Sequence, residues 1–185
     1  IDITPVAVTV IKSRMEQTFE GLEVPVVGFP VDMEGARTLA ASDPHNFQIW
    51  ACSLLGAFPR VKKGADRGID GDFPFFDYRE KPQRALVQVK GGKVGSSQVR
   101  DLVGTVEREK AALGFFLCLE KPTKAMLEEA SSAGVWDAGH GKYYPRIQIL
   151  TVEELRARRA RPQMPTQDKR SLRGYKASKT ERIGQ

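Results

Sequence analysis

The chain has 185 residues, of which 41% are hydrophobic and 28% charged, so it is long enough for one globular domain with appended segments. No stretch approaches the roughly 20 apolar residues of a membrane span, and no signal peptide is recognisable at Ile1, which excludes a membrane protein at this level. Cys52 and Cys118 show no paired spacing, which predicts a reduced, cytoplasmic protein rather than a disulfide scaffold.

The net charge of +6 is unevenly distributed along the chain. Residues 156–185 carry ten Lys and Arg against Asp168 and Glu181, a balance of +8, which leaves −2 for the remainder (+6 minus +8). This composition predicts a disordered basic tail. Such a tail serves either as a non-specific phosphate-binding arm or as a solubilising linker.

The first predicted zone, residues 1–40, is a strand-helix-loop segment. An extended start is followed by Val8, Ile11 and Met15 at helical spacing, and Gly21 ends the helix. The connection from there to residue 33 is rich in Pro and Gly.

The second zone, residues 41–155, predicts a compact α/β domain with the element order α-β-β-α-β-α-β-α. The predicted elements are a helix from Asp43-Pro44 to Gly56, strands at 69–78 and 85–90, a helix capped by Ser96 or Ser97 and ended by Gly114, a strand at 115–119, a helix at 123–133, a strand at 146–150 and a short helix with a Thr151–Glu154 capping box.

Three polar residues on two predicted strands suggest a site. Gln88 and Lys90 share one face because side chains alternate along a strand, and Asp70 precedes them by a gap that a β-hairpin fills. This layout suits metal-assisted phosphodiester hydrolysis: the acid holds a divalent cation, the amide completes its oxygen shell, and the lysine meets the nucleophilic water or the developing charge. The alternative is a turn aspartate, an ordinary strand glutamine and a solvated strand-end lysine.

The run Gly64-Ala65-Asp66-Arg67-Gly68-Ile69-Asp70-Gly71, followed by Val87-Gln88-Val89-Lys90, resembles the restriction-endonuclease-like nucleases with the PD-(D/E)xK motif. It is most similar to the Mrr-type branch, whose pattern is GxDGGIDG and then QxK. The resemblance covers about residues 41–152. It implies an α/β restriction-endonuclease-like fold in which helices flank a central mixed β-sheet.

The resemblance also implies roles for individual residues. Asp70 takes the place of the metal-binding aspartate, Gln88 a position that is often Glu, and Lys90 that of the catalytic lysine. Asp70, Gln88 and the main-chain carbonyl of Val89 are then the ligands of Mg²⁺ or Mn²⁺. Gln48 replaces an acidic residue that the family carries on its first helix, and it completes the catalytic set.

Two amides in place of two carboxylates weaken the binding of a hard cation, because Mg²⁺ prefers charged oxygen ligands. Asp66 and Asp72 are possible substitutes. The candidate DNA contacts are three cations that lie in loops next to the motif residues: Lys63, Arg67 and Lys93.

The stretch Ile1-Asp2-Ile3-Thr4 and the helix after it resemble part of an S-adenosylmethionine-dependent DNA amino-methyltransferase. Asp2 matches the acid that holds the cofactor ribose in that family. The glycine-rich motif and the Asp/Asn-Pro-Pro-Tyr/Phe motif are absent from the sequence. We therefore expect residues 1–40 to be a methyltransferase remnant and the chain to be a nuclease-like module at the end of a longer modification protein.

Two functions remain open at this point. The first is a Mg²⁺-dependent DNA endonuclease of a restriction-modification or defence system, with double-stranded DNA, a second copy of the chain and a methyltransferase domain or subunit as partners. The resemblance implies a cytoplasmic protein of bacterial, archaeal or phage origin. The second is a catalytically weak or inactive nuclease-fold module that binds DNA and is attached to a methyltransferase.

Overall fold

The structure is a computed structural model that describes residues 28–60 and 68–165, together with seven isolated positions between residues 8 and 22. The two continuous ranges contain five helices and seven strands. In chain order these are α1 (Met33–Ser42), α2 (Pro44–Leu55), β1 (Phe58–Pro59), β2 (Gly71–Phe76), β3 (Pro82–Lys90), α3 (Ser96–Arg108), β4 (Leu113–Cys118), α4 (Lys124–Ser132), β5 (Val135–Gly139), β6 (Lys142–Pro145), β7 (Ile147–Thr151) and α5 (Val152–Arg156).

The main sheet has the strand order β1-β2-β3-β4-β7. Strands β1, β2 and β3 are antiparallel neighbours, whereas β3, β4 and β7 run parallel. Strands β5 and β6 form a separate antiparallel hairpin. The predicted α/β class, with a central mixed sheet flanked by helices, is confirmed.

Each face of the sheet carries its own hydrophobic core. One core joins α1, α2 and α5 to the face that contains Val87 and Val89. The other joins α3 and α4 to the face that contains Leu86. Every residue of β4 is buried, because helices cover this strand on both sides, as a continuous apolar run predicts.

Local capping signals explain where two of the helices begin. The Asp43 side chain caps α2 by accepting a hydrogen bond from the Asn46 N–H at 3.1 Å, and Pro44 occupies the first turn. Thr151 and Glu154 form the predicted capping box at the start of α5. Both predicted helix starts are confirmed.

The helix that we predicted to end at Gly114 ends instead at Arg108, and Gly114 lies within β4. A Cβ atom at this glycine would approach Val106 Cγ2 to 2.7 Å and Ile147 Cδ1 to 2.8 Å. The glycine is therefore required for the close packing of α3 on the sheet, and it does not mark a helix end.

Three parts of the fold were not predicted. Helix α1 lies where we expected a loop, and it crosses the predicted boundary at residue 40; its Ala36 is fully buried. The β5–β6 hairpin was missed, as was the short edge strand β1. The predicted tail also begins too early, because Gln163 and Pro165 pack against the fold. The division into residues 1–40, 41–155 and 156–185 otherwise stays a prediction.

The predicted extended start with Asp2 and the chain from residue 166 onward lie outside the described residues. In the part of the chain that is described, no helix combines the length and hydropathy needed to cross a membrane.

Candidate functional site

Asp70 lies at the point where the chain enters β2, beside the end of β3. Its main-chain N–H donates to the Val87 carbonyl at 2.8 Å. Its carboxylate Oδ2 accepts a hydrogen bond from the Val89 N–H at 2.7 Å. The carboxylate therefore lies against the main chain between Gln88 and Lys90, so the structure brings Asp70 to the segment that the strand pattern indicated.

Gln88 is buried, with 5% of its surface exposed, on the face of β3 that also carries Leu86. Its amide packs against Gly68, where a Cβ atom would lie 3.0 Å from Gln88 Nε2; Gly68 also has a φ of +79°. Both observations favour glycine at residue 68. Gln88 Oε1 has no hydrogen-bond partner among the described residues. A buried acceptor without a partner costs roughly 1–3 kcal/mol.

Lys90 is the last residue of β3 and is half-buried. Its carbonyl accepts a hydrogen bond from Leu119 N at 3.3 Å, and no acidic side chain in the described ranges forms an ion pair with its ammonium group. Lys93 is exposed in the loop that leads to α3. These two lysines place positive charge at the C-terminal end of β3, directly after Gln88.

The positions of the Val89 carbonyl and of Gln48 follow from the contacts of neighbouring groups. The N–H and C=O of one residue point to the same side of a strand, so the Val89 carbonyl faces the β2 side, as its N–H does. Gln48 is half-buried on α2, one helical turn before Cys52, whose Sγ lies 3.6 Å from the Asp70 carbonyl oxygen. Gln48 thus shares a helix face with Cys52, and α2 packs on the face of the sheet opposite the one that carries Gln88.

Lys63, Arg67 and Asp66 lie in the range 61–67, outside the described residues. Of the two possible substitute carboxylates, only Asp72 is therefore placed by the structure.

Asp72 is not available as a substitute metal ligand. Its two oxygens face the guanidinium group of Arg60, with Arg60 Nη2 at 3.0 Å from Oδ1. Arg84 Nη1 lies 3.8 Å from the same oxygen. Sequence reasoning missed Arg60, because its pairing with Asp72 depends on the short strand β1, which gives little sequence signal.

The donor set does not fit the expected Mg²⁺ or Mn²⁺ ion. Among the described residues it offers one carboxylate, that of Asp70, which already accepts a main-chain hydrogen bond, and the neutral amides of Gln88 and Gln48. Across residues 28–60 and 68–165, no group of three or more His, Cys, Asp or Glu side chains could hold a metal ion. A hard cation requires more negative charge than this set provides. The metal ligands stay a prediction that the geometry does not support.

Cys52 adds no nucleophile to the region. Burial raises the pKa of its thiol far above the ordinary range, and the negative charges of Asp70 and Asp72 raise it further. The thiol therefore stays protonated and unreactive at neutral pH.

A family model described as NACHT-associated inactive Restriction Endonuclease 1 (NA-iREase1) matches residues 44–156. No curated protein and no solved structure matches the chain. The family is described as inactive, so our expectation of an active Mg²⁺-dependent endonuclease is wrong, although the restriction-endonuclease-like fold is confirmed. The match supports neither an active Mrr-type site nor a methyltransferase stretch. Since it spans more than half of the sequence, the chain belongs to the NACHT-associated inactive restriction endonuclease family.

Proposed function

We propose that this chain is a nuclease-fold module that binds duplex DNA without cutting it, as part of a NACHT-associated protein. The observation that carries the proposal is the hydrogen bond between the Asp70 carboxylate and the Val89 N–H. It gives the motif aspartate a structural role that does not require cleavage. The side chain serves the main chain of β3 and does not need a metal ion to be held in place.

Loss of cleavage follows from the charges at the site. Hydrolysis of a phosphodiester places additional negative charge on the phosphorus-bound oxygens in the transition state, and nucleases of this fold rely on a metal ion to stabilise it. Lys90 supplies a single positive charge. The negative charge that would hold a cation is reduced by the amide at Gln88 and by the Arg60–Asp72 ion pair.

DNA binding places different demands on the same surface. It needs cations that reach phosphates, because phosphate contacts and counterion release dominate the affinity for nucleic acid. Lys90 and Lys93 provide two such cations beside the motif. The sequence carries further cations at Lys63, Arg67 and in the basic residues 156–185. Most of these cations can contact phosphates whether or not the site is catalytically active.

The family description is the basis for proposing a NACHT-associated protein as the setting. The methyltransferase partner and the homodimer stay predictions. A methyltransferase setting rests on residues 1–40 alone, half of which lie outside the described residues.

Fluorescence anisotropy with a labelled DNA duplex tests the binding step. We expect the intact chain to bind at low salt and log Kd to rise linearly with log salt concentration, since each phosphate contact releases counterions. Lys90→Gln combined with Lys93→Gln should weaken binding several-fold and reduce that slope. Lys142→Gln is the matched control, because Lys142 is an exposed lysine on the separate β5–β6 hairpin. This variant should change neither the affinity for DNA nor the salt dependence. Absence of duplex binding at low salt would contradict the proposal.

A further inference from the structure

Helices cover only part of the sheet face that carries Leu86. The core on this face joins α3 and α4 to β3, β4 and β7, and among the described residues it includes none of strands β1 and β2. The part of the face at this edge of the sheet therefore lies beyond that core. Four residues occupy it, and we call them the edge surface: Phe58, Arg60, Asp72 and Arg84.

The strand register places these four side chains on one face. Phe58 pairs with Asp72 across β1 and β2, and Asp72 pairs with Leu86 across β2 and β3. Residues that pair directly in an antiparallel ladder have their side chains on the same face. Arg84 shares that face because it precedes Leu86 by two residues. Arg60 Nη2 lies 3.0 Å from Asp72 Oδ1, so the guanidinium group of Arg60 lies on this face too.

Phe58 is an exposed aromatic side chain on a main chain that is held in place. It exposes 54% of its surface, and it belongs neither to the two cores nor to the partly buried residues that pack against them. Its main chain is fixed by the pairing with Asp72 and by the adjacent hydrogen bond from Arg60 N to Asp70 O at 2.9 Å. A ring exposed in this way can stack on a nucleic-acid base of any sequence, because every base has a π face.

Acidic side chains hold the two arginines of the edge surface in position. Arg60 pairs with Asp72, and Arg84 Nη2 lies 3.0 Å from Glu109 Oε2 and 2.7 Å from the Glu109 carbonyl oxygen. The side chains of Arg60 and Arg84 are still 31% and 35% exposed. A guanidinium group that is already oriented loses less conformational entropy when it binds a phosphate. The edge surface thus combines an exposed aromatic ring with two oriented cations.

The edge surface continues into the lysines that we propose as DNA contacts. Arg84 and Lys90 lie six residues apart on the same face of β3, a distance of about 20 Å. Duplex DNA rises about 3.4 Å per base pair, so this distance corresponds to about six base pairs. A single DNA molecule can therefore contact Lys90 and the edge surface together. The positive charge along this face complements phosphates, which favours DNA over a protein as the occupant.

We propose that the edge surface binds an unpaired base next to the duplex that this module holds. Phe58 stacks on the base, and Arg60 and Arg84 contact the phosphates beside it. A base inside a continuous duplex is stacked between its neighbours and reaches Phe58 only if it is unstacked, which costs free energy. The inference rests on the proposed DNA binding and specifies its substrate class, which is DNA in which a duplex adjoins a single strand.

Competition anisotropy with the full chain tests this proposal. The competitors are a duplex with a six-nucleotide single-stranded overhang and a blunt duplex with the same number of phosphates. We expect the overhang duplex to bind about 5- to 150-fold more tightly, the range expected for stacking of one base. Phe58→Ala should remove this preference, and Phe58→Trp, which keeps a stacking ring, should retain it. Tyr143→Ala is the matched control and should also retain it, because Tyr143 is 62% exposed on the separate β5–β6 hairpin.

The salt dependence tests the arginine contacts. Arg84→Gln should weaken binding of the overhang duplex several-fold and reduce the slope of log Kd against log salt concentration by about one, because one phosphate contact is lost. Arg79→Gln is the matched control, because Arg79 is likewise ion-paired, with Asp137 of the β5–β6 hairpin, and it should leave the slope unchanged.

Two results would overturn this inference and leave the proposed duplex binding intact. They are equal affinity for the overhang and blunt duplexes, and a preference for the overhang that survives Phe58→Ala. Absence of binding to either DNA would instead overturn both the inference and the proposed function.

Discussion

The Asp70 carboxylate accepts a hydrogen bond at 2.7 Å from the main-chain N–H of Val89, the residue between Gln88 and Lys90. The contact joins the start of β2 to the end of β3, where the register Gly71–Val87 begins. A motif residue thus has a role in the fold that does not depend on catalysis. This structural role of Asp70 is compatible with a family described as inactive.

Asp70→Ala should destabilise the fold, because the Val89 N–H loses its acceptor. Removing one partner of a buried hydrogen bond costs about 1–3 kcal/mol. Asp70→Asn retains an acceptor oxygen and should lose less than half as much. Urea unfolding followed by circular dichroism measures both variants. An Asp70→Ala variant as stable as the unaltered chain would show that the Val89 contact contributes nothing.

Gln88→Met should leave stability unchanged or raise it by up to about 1 kcal/mol, since it removes an acceptor that lacks a described partner and adds apolar volume to a buried site. Gln148→Met is the matched control. The Gln148 amide donates to Gln163 O at 2.7 Å and accepts from Gln163 N at 2.8 Å. Its replacement should cost about 1–3 kcal/mol. Equal losses in both variants would show that Gln88 has a hydrogen-bond partner after all.

Gly114→Ala should cost roughly 1–3 kcal/mol, because its Cβ would clash with Val106 and Ile147. Gly104→Ala is the control. Gly104 lies inside α3, and a Cβ atom there would meet no neighbouring atom within 4 Å, so the change should stabilise the helix by roughly 0.5–1 kcal/mol. Differential scanning calorimetry should show a lower melting temperature for Gly114→Ala and a higher one for Gly104→Ala. A shift in the same direction for both would contradict the proposed close packing of α3 on β4.

The free energy of unfolding should fall as pH rises above 9. Burial raises the pKa of the Cys118 thiol from 9.0 to about 12, so the unfolded chain loses this proton at lower pH than the folded chain does. The contribution of Cys118 is therefore fully present below pH 9 and is lost as pH rises toward 12. Cys118→Val should reduce the slope between pH 9 and 10.5 in urea unfolding. An unchanged slope would rule out this cause.

The parts of the fold that follow from local signals were predictable. Asp43 and Pro44 start α2 through a cap and a first-turn proline, and Thr151 with Glu154 starts α5 in the same way. Helix α1 was missed, because its cap Asp32 follows a Pro- and Gly-rich connection that reads as a loop.

The candidate site was predictable in its location and unpredictable in its chemistry. Strand alternation correctly placed Gln88 and Lys90 on one strand beside Asp70. The two contacts that decide the chemistry, Asp70 with Val89 and Asp72 with Arg60, connect residues 19 and 12 positions apart. They depend on tertiary packing, so no local pattern reports them. A matching motif therefore predicts the fold more reliably than it predicts the activity.

The central claim is that this nuclease-fold module binds DNA without cutting it. The most direct test is nicking of supercoiled plasmid by the intact chain with Mg²⁺ or Mn²⁺, under salt conditions in which anisotropy shows binding. Mn²⁺ gives the stricter test, because it tolerates imperfect ligand sets better than Mg²⁺ and would reveal weak cleavage more readily. We predict bound plasmid that stays supercoiled with either ion. Nicking that disappears in both Asp70→Asn and Lys90→Gln would contradict the account.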